Sequence, residues 1–522
     1  MFIIEQSLPT CKDYTTTDPI HLFLQFYIDK DETHRQEICF ALQQNVNNPF
    51  IDSIILLNER IYTDEELGVT SPKIKQIVIH NWITYYDFLN YTIDGYKVLI
   101  NADIFVDETI QNIRTSDIHL HKKMFALLRY EYNHGNPELF CRPNKTTGRE
   151  DSQDTWIIHS NHSFSKKELD IFKIKLGLPG CDNKITYLFK IIGYEIYNDP
   201  TYIKTYHCHE NNHRQHTQLM KPPFCHIFPA NLSYNPLIPQ ITDDSMMIYS
   251  FAKSNTDLYD MLQTNQPMLI PRIAGVENNF VMTSDLTILQ QLMSTMKKNA
   301  GIQCNSIHSI EQYKKWYLSA FEKCSVYAAW EPWGNVYKYI SKSQNEIQRL
   351  YPKPILWAFV FDIFHYIHKP WTHALANKRI LIISAFVDSI QKQQQAYPVD
   401  LFPNCTFIYL KPPQTNGSNA SLDWHIEFVQ FCNKIKRLEN EFDVALCSCG
   451  GYGNPLCSYI YSMNKTAIYV GGVLQMYFGI YGNRWLKERR ECMKLYMTTD
   501  WKRPSEHEKP LNHTTIESGC YW

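Results

Sequence analysis

Short apolar runs alternate with amphipathic stretches along this chain, and the alternation predicts its elements. Residues 21–27 (HLFLQFY), 51–58 (IDSIILLN), 75–80 (KQIVIH) and 96–100 (YKVLI) have the length and β-branched or aromatic content of buried strands. Between them, residues 32–42 and 82–89 read as helices. Strand alternating with helix predicts a parallel sheet with helices on both faces. The polar strand ends would then share one rim, with Gln25, Asn58, Arg60 and His80 beside the triplet Asn101, Ala102 and Asp103. Prolines at 222, 223, 229, 236 and 239, with little periodicity around them, read as a linker over 221–244. The alternation then resumes, with strands expected at 378–384, 406–410, 443–448 and 467–471 and helices at 286–298, 309–322, 388–396 and 422–441. The expected fold is α/β, with two doubly wound, Rossmann-like domains at 1–220 and 245–522.

Composition narrows the partners. At 522 residues the chain is too long for one ordinary core. Lys and Arg number 51 against 53 Asp and Glu, with no polybasic block, so nothing points to a nucleic-acid surface. The first residues lack a basic n-region, and no window has the apolar length of a bilayer span, so a cytoplasmic chain is expected. Fifteen cysteines, an odd count without zinc-finger spacing, read as thiols.

Individual residues leave pairs of readings open. Asp103, at a strand end, suits a divalent cation held against a diphosphate, with Asn101 as a neutral oxygen donor and Asp107 beyond; the same residues suit caps of a helix from about Ile104. Asp182, at a helix start after Leu178-Pro-Gly180, is either a cap or a general base, and Asp154 is the rival base. His207 and His209 would share one face of a strand, as ligands or as surface histidines. Trp156 or Tyr206 would form an apolar wall of a site or pack in a core. In the second half Gly450, Gly451 and Gly453 form a strand-to-helix turn, either a phosphate cradle or a plain tight turn, without a dinucleotide or P-loop fingerprint. Arg272 and Glu277 flank another such turn, and Gln475, Arg484 and Trp485 fall near the same strand ends.

The order of the segments LFLQFYIDKDETHRQEI, NPFIDSIILLNER, INADIFVD, SQDTWI, LGLPGCDNKI and HCHENNHR resembles nucleotide-sugar-dependent glycosyltransferases of the GT-A type. It is closer still to the glycosyltransferase domain found in viral, bacterial and algal chains, over roughly residues 20–214. The resemblance implies that Asp103 chelates a divalent metal, Mn²⁺ or Mg²⁺, on the sugar-nucleotide diphosphate, that His207 or His209 completes the metal shell, and that Asp182 deprotonates the acceptor. It also implies nucleotide-sugar contacts from Gln25, Asn58, Arg60, Asn101, Asp103 and Trp156. Asn101 departs from the pattern by replacing its first acid.

The second half is similar, more loosely, to the GT-D type domain. Arg272 and Glu277 match there, Gly275 stands where the first acid is expected, and Leu446 to Gly453 fit the strand and turn, adding Gly450, Gly451, Gly453 and Arg484 as nucleotide-sugar contacts. The implied activity is sugar transfer from a UDP- or GDP-sugar to a glycan or glycoprotein acceptor, in one domain or both, with no nucleic acid, no membrane span and a homodimer compatible. The alternative is a non-catalytic carbohydrate- or nucleotide-binding scaffold with degenerate sites, which Asn101 and Gly275 would permit. Richness in Asn, Ile, Tyr and Lys fits an AT-rich, viral source and so a host cytoplasm.

Overall fold

Successive side chains of the run at residues 20–24 leave in opposite directions, and this sets the layers of the first half. Leu22 and Leu24 join Ile38 and Leu42 of the helix Glu32–Asn47 in one core. Phe23 packs edge-on against Phe88 of the helix Tyr85–Asn90, ring centroids 5.3 Å apart. The sheet therefore lies between two helical layers. The computed structural model describes residues 2–4, 15–120, 122–133, 135–143, 148–208, 220–221, 223–227, 229, 251–330, 335–365, 367–393, 400–413, 421–510 and 512–522. The chain divides into two units, Met1–Ala252 and Lys253–Trp522, and both are α/β. The stretch read as a linker falls largely outside the described residues. Among the described residues no helix is long and apolar enough to cross a membrane.

The sheet of the first unit runs, edge to edge, Glu195–Tyr197, Lys123–Leu127, Thr155–His159, Tyr96–Ile100, Ile20–Leu24, Ser53–Asn58 and Ile74–Val78. Neighbours pair in parallel except that Thr155–His159 is antiparallel to both of its own. This corrects the expectation of a purely parallel sheet. A parallel return needs a crossover, usually a helix, to carry the chain back to the other edge. After Leu127 the chain instead makes the hairpin Tyr130–Asn133 and Asn136–Leu139, part of a second sheet ordered Ile104–Val106, Thr205–His207, Tyr130–Asn133, Asn136–Leu139. It therefore re-enters the main sheet from the edge at which it left.

The helix expected from about Ile104 is also corrected. Residues Ile104–Val106 form a strand, and Asp107 caps the 3₁₀ helix Glu108–Thr115 that follows, accepting from the Thr109 amide at 2.9 Å. Buried asparagines explain the extended backbone. Asn45 Nδ2 donates to Ile104 O at 2.9 Å while its Oδ1 accepts from Val106 N at 3.1 Å, imitating a neighbouring strand, and Asn48 Nδ2 donates to Val106 O at 3.0 Å.

The second unit has an all-parallel sheet in the order Leu269–Ile270, Thr466–Tyr469, Val444–Ser448, Arg379–Ser384 and Thr406–Leu410. Leu381, Ile383, Ala445 and Cys447 of its central strands pack with Trp424 and Phe428 of the helix Trp424–Arg437. Residues 271–278, expected as a strand into a glycine turn, instead lead into the helix Gly275–Met282.

Asn45→Ala would leave a buried carbonyl and amide of the 104–106 strand unpaired, so it is expected to destabilise the protein by about 2–4 kcal/mol. Chemical denaturation followed by tryptophan fluorescence checks this, and an unmoved midpoint would contradict the role given to Asn45.

Candidate functional site

Strand register places the first group of residues. Thr155 lies opposite Ile100 on one side and Leu127 on the other, the last residues of their strands. Asp154, one residue earlier, therefore stands between Asn101 and the chain leaving Leu127. Asn101 Nδ2 donates to Asp154 Oδ1 at 3.0 Å, and Arg129 Nη1 donates to Asp154 Oδ2. The neutral amide at 101 thus has a physical reason: it is a donor facing a carboxylate, where an aspartate would be a like charge.

A second register places Asp103. Ile104 pairs with His207, and the Cys208 amide donates to Asp103 O at 2.9 Å, so the imidazole falls beside the carboxylate. His207 Nε2 lies 3.1 Å from Asp103 Oδ2, and His207 Nδ1 donates to Glu131 Oε2 at 2.7 Å. From the first turn of Glu32–Asn47, His34 brings Nε2 to 3.7 Å from the same Asp103 oxygen, and its Nδ1 donates to Asp29 Oδ2 at 2.9 Å. Burial opposes charge on Asp103, but the positive His207 with its hydrogen bond, and the nearby His34, outweigh it and hold the carboxyl well below its usual range. In return His207 is pushed up to about 9, against its own burial, by the Asp103 charge and hydrogen bond and by the Glu131 hydrogen bond. His34 is likewise pushed up to about 9, first by its approach to Asp103 and then by its hydrogen bond to Asp29. His209 lies outside the described residues.

Asp182 approaches from the opposite helical layer. It is the second residue of the helix Cys181–Ile191, whose N-cap is Gly180 in a left-handed conformation. Its Oδ2 accepts from the Gln153 amide at 3.4 Å and its Oδ1 from Asn183 Nδ2 at 3.2 Å. Burial, reinforced by the neighbouring charges of Asp154 and Asp151, pushes the Asp182 carboxyl up to about 7 despite a backbone hydrogen bond from Asn183. The rim thus has two halves, Asp103 with His207 and Asp154 with Asp182, and the side chains of Asp103, His207 and Asp154 are between 13% and 17% exposed. A cavity of about 240 Å³ at the opposite edge of the sheet, beside Asp94, Lys97, His159 and Ser160, touches none of them.

Other expected contacts are held elsewhere. Asn58 is fully buried, accepting from Phe26 N at 2.9 Å and donating to Gln76 Oε1 at 3.3 Å, so it is a scaffold residue. Gln25 bridges Asn81 O and Ile83 N, each at 3.0 Å. Arg60 makes a forked ion pair with Glu66, at 2.7 and 3.0 Å. Trp156 is 1% exposed and edge-on to Tyr85, and Tyr206 stacks on Phe105 and donates to Asp107; neither walls a sugar. Sequence reasoning missed His34, Arg129 and Glu131. The run Thr-Trp-Ile-Ile-His at 155–159, read as strand and not as loop, would have been the signal that leads to Arg129.

In the second unit the glycine turn is filled by protein. A Cβ on Gly450 would meet Ala300 O at 2.6 Å, one on Gly451 would meet Ile302 Cγ1 at 2.3 Å, and one on Gly453 would meet the Tyr469 ring at 2.3 Å. Close packing on the side a Cβ would occupy gives the tight-turn reading its physical reason. Gly471, at φ +79°, lies under the Arg272 guanidinium, 2.2 Å from where its Cβ would be. Arg272 Nη1 donates to Val470 O at 3.1 Å. Glu277 is 7% exposed, and burial pushes it up to about 7, opposed by Arg272. Arg484 lies over the Tyr521 ring at 5.1 Å and pairs with Glu517. Asp388, His507 and Glu508, not anticipated from sequence, bring three potential ligand atoms within 4.8 Å of one another. Glu508, however, is committed to capping the helix Val387–Gln393, accepting from the amides of Asp388 at 3.0 Å and Ser389 at 3.2 Å.

Asn101→Asp would set two carboxylates against each other and is expected to cost about 2 kcal/mol at pH 8 relative to wild type. The folded variant would bind a proton there more tightly than the unfolded chain, so the deficit should shrink as pH falls toward 5. Thermal unfolding of both proteins at the two pH values measures it, and a pH-independent difference would refute the Asn101–Asp154 contact.

No protein-family model matches the chain, and no curated protein matches it. Among solved structures it is similar to a domain of unknown function 1792 described as having a distinct glycosyltransferase fold, at 11% identity and TM-score 0.29, over 44% of this chain and 82% of that one. A selenomethionine-substituted structure of domain 1792 gives 12% identity and TM-score 0.29 over the same shares. The mannosyltransferase PcManGT from Pyrobaculum calidifontis, in complex with GDP-Man and Mn²⁺, gives 6% identity and TM-score 0.26 over 50% of this chain and 67% of that one.

Proposed function

We propose that the first unit is a nucleotide-sugar-dependent glycosyltransferase acting on a glycan or glycoprotein acceptor. The observation that supports this reading is that an ionised Asp103 backed by His207 follows the carboxyl end of one strand, while Asn101, two residues before it, donates to Asp154, the near charge behind an Asp182 carboxyl pushed up to about 7. Ligands of open α/β sheets bind outside that edge. Sugar transfer to an alcohol needs charge stabilisation on the departing diphosphate and a base for the incoming hydroxyl, and the two halves of the rim supply one each.

The donor set fits a divalent cation, Mn²⁺ or Mg²⁺. Asp103 Oδ2 and His207 Nε2 are 3.1 Å apart across a hydrogen bond, and a cation held between them would displace that proton and leave His207 neutral. Glu131 holds the far nitrogen of His207, as a carboxylate does behind a metal-binding imidazole. Asp103 and His207 would hold the ion, and when bound it supplies positive charge to the nucleotide diphosphate. Asp182 receives the acceptor proton. With its carboxyl near 7 it is a stronger base than an ordinary aspartate yet substantially ionised at neutral pH. Arg129 and Asn101 keep Asp154 in place beside it, which sustains that basicity.

We read the second unit as a partner to this centre and not as a second one. Gly275 replaces the first acid of the pattern it resembles, and a Cβ there would already lie 3.1 Å from Ile340 and 3.3 Å from Tyr339. Glycine offers no ligand atom at that position, and no metal-assisted step is derived for this unit.

Incubation with UDP- and GDP-sugars and Mn²⁺ should release nucleotide diphosphate, and Asp103→Ala should abolish the release. Asp182→Asn should lower kcat by about 10²- to 10⁴-fold with little change in donor KM. Wild-type turnover should rise with pH to a plateau above about 7, because Asp182 must lose its proton to act. That loss also carries a sign for stability: the native state binds this proton more tightly than the unfolded chain, so the contribution of Asp182 to stability falls between about pH 4 and 7. Equal inertness of wild type and Asp103→Ala across the panel would sink the proposal.

A further inference from the structure

Arg129 belongs to no motif, yet it closes a ring of side chains. Its Nε donates to Glu131 Oε1 at 2.7 Å, and its Nη1 donates to Asp154 Oδ2 and, at 3.1 Å, to Ser152 Oγ. Each carboxylate gives its second oxygen to a residue of the rim: Glu131 Oε2 accepts from His207 Nδ1 at 2.7 Å, and Asp154 Oδ1 accepts from Asn101 Nδ2 at 3.0 Å. His207 then reaches Asp103 at 3.1 Å, and Asp103 follows Asn101 by two residues, which completes the circuit. The Phe140 ring covers one guanidinium face at 4.1 Å, and the Arg129 side chain is 6% exposed. So enclosed, Arg129 acts through its partners and not on a ligand. Holding two carboxylates at fixed angles suits a planar, forked guanidinium and not the single point charge of an ammonium.

We propose that Arg129 is a positioning residue that sets the separation between the Asp103–His207 pair and the Asp154–Asp182 pair. The inference rests on reading this rim as a transferase site, because only there does that separation matter, one pair facing the diphosphate and the other the acceptor hydroxyl. Removing the fork frees Glu131 and Asp154 from each other, and with them His207 and Asn101. The donor would still bind, but the base would no longer meet the acceptor at the right distance.

Two readouts test it, on the full chain carrying Arg129→Lys and, separately, Arg129→Met. In protein labelled with ¹⁵N at histidine, the His207 Nδ1 proton held by Glu131 should give a downfield, slowly exchanging signal, assigned by its loss in His207→Asn. The signal should vanish or move in the Arg129 variants, and if the methionine variant fails to fold the lysine variant decides. An unchanged signal overturns the proposal. In turnover of whichever nucleotide sugar wild type uses, folded Arg129→Lys should lose about a hundredfold in kcat with donor KM within about threefold of wild type. Wild-type kcat in that variant overturns the proposal, as does a loss confined to KM. If wild type turns over no nucleotide sugar, the transferase reading falls by itself, and the histidine signal still decides whether Arg129 organises the ring.

Discussion

The antiparallel course of Thr155–His159 is the constraint on which the rim of the first unit depends. A parallel strand delivers its last residue to the ligand edge, whereas a reversed strand delivers its first. With Thr155 opposite both Ile100 and Leu127, the residue before the strand is held between two chains that are leaving the sheet. A slip of one residue would turn Trp156 out of its packing against Tyr85 and carry Asp154 away from Asn101. The core therefore enforces the register that the polar edge requires, and the largest buried side chain of the strand guards the position of its smallest charged neighbour.

Charge alternates along the rim with few breaks. From Asp29 the order is His34, Asp103, His207, Glu131, Arg129 and Asp154, and the neutral Asn101 links the last carboxylate back toward Asp103. Buried or half-buried charges are costly to strand and tolerable in company. Alternation lets several acids crowd one edge without mutual repulsion deciding the geometry. Asp182 stands outside the sequence, flanked by Asp154 and Asp151, and its buried carboxyl is pushed upward. The two halves of the rim thus differ in kind, one compensated and one left wanting a proton.

Much of this was legible in the chain, for identifiable reasons. The runs at 96–100 and 406–410 became strands at the expected bounds, because β-branched residues between polar breaks leave little alternative. Asp103 and Asp182 could be singled out because each directly follows such a punctuation. Asn101 looked like a weakened ligand, and only the reversed strand shows it to be a donor to Asp154. Arg129 and Glu131 were invisible because their hairpin lies between two strands that sequence periodicity did not resolve, and their partners are 25 and 76 residues away. Trp156 misled in the other direction: an aromatic close to an acid reads as a sugar platform, but on a strand held between two others its ring is buried against Tyr85.

The closed circuit of side chains draws on strands scattered through the first unit, and its final member sits on Thr205–His207. A nascent chain emerges amino end first, at roughly 5–20 residues per second, so Asp103 is made long before the imidazole that comes to lie against it. The strand following Asp103 is already provided for by Asn45 and Asn48, which precede it. Translation thus lays down a scaffold that waits for its counter-ion, and the centre becomes electrically complete only when nearly the whole unit has left the ribosome.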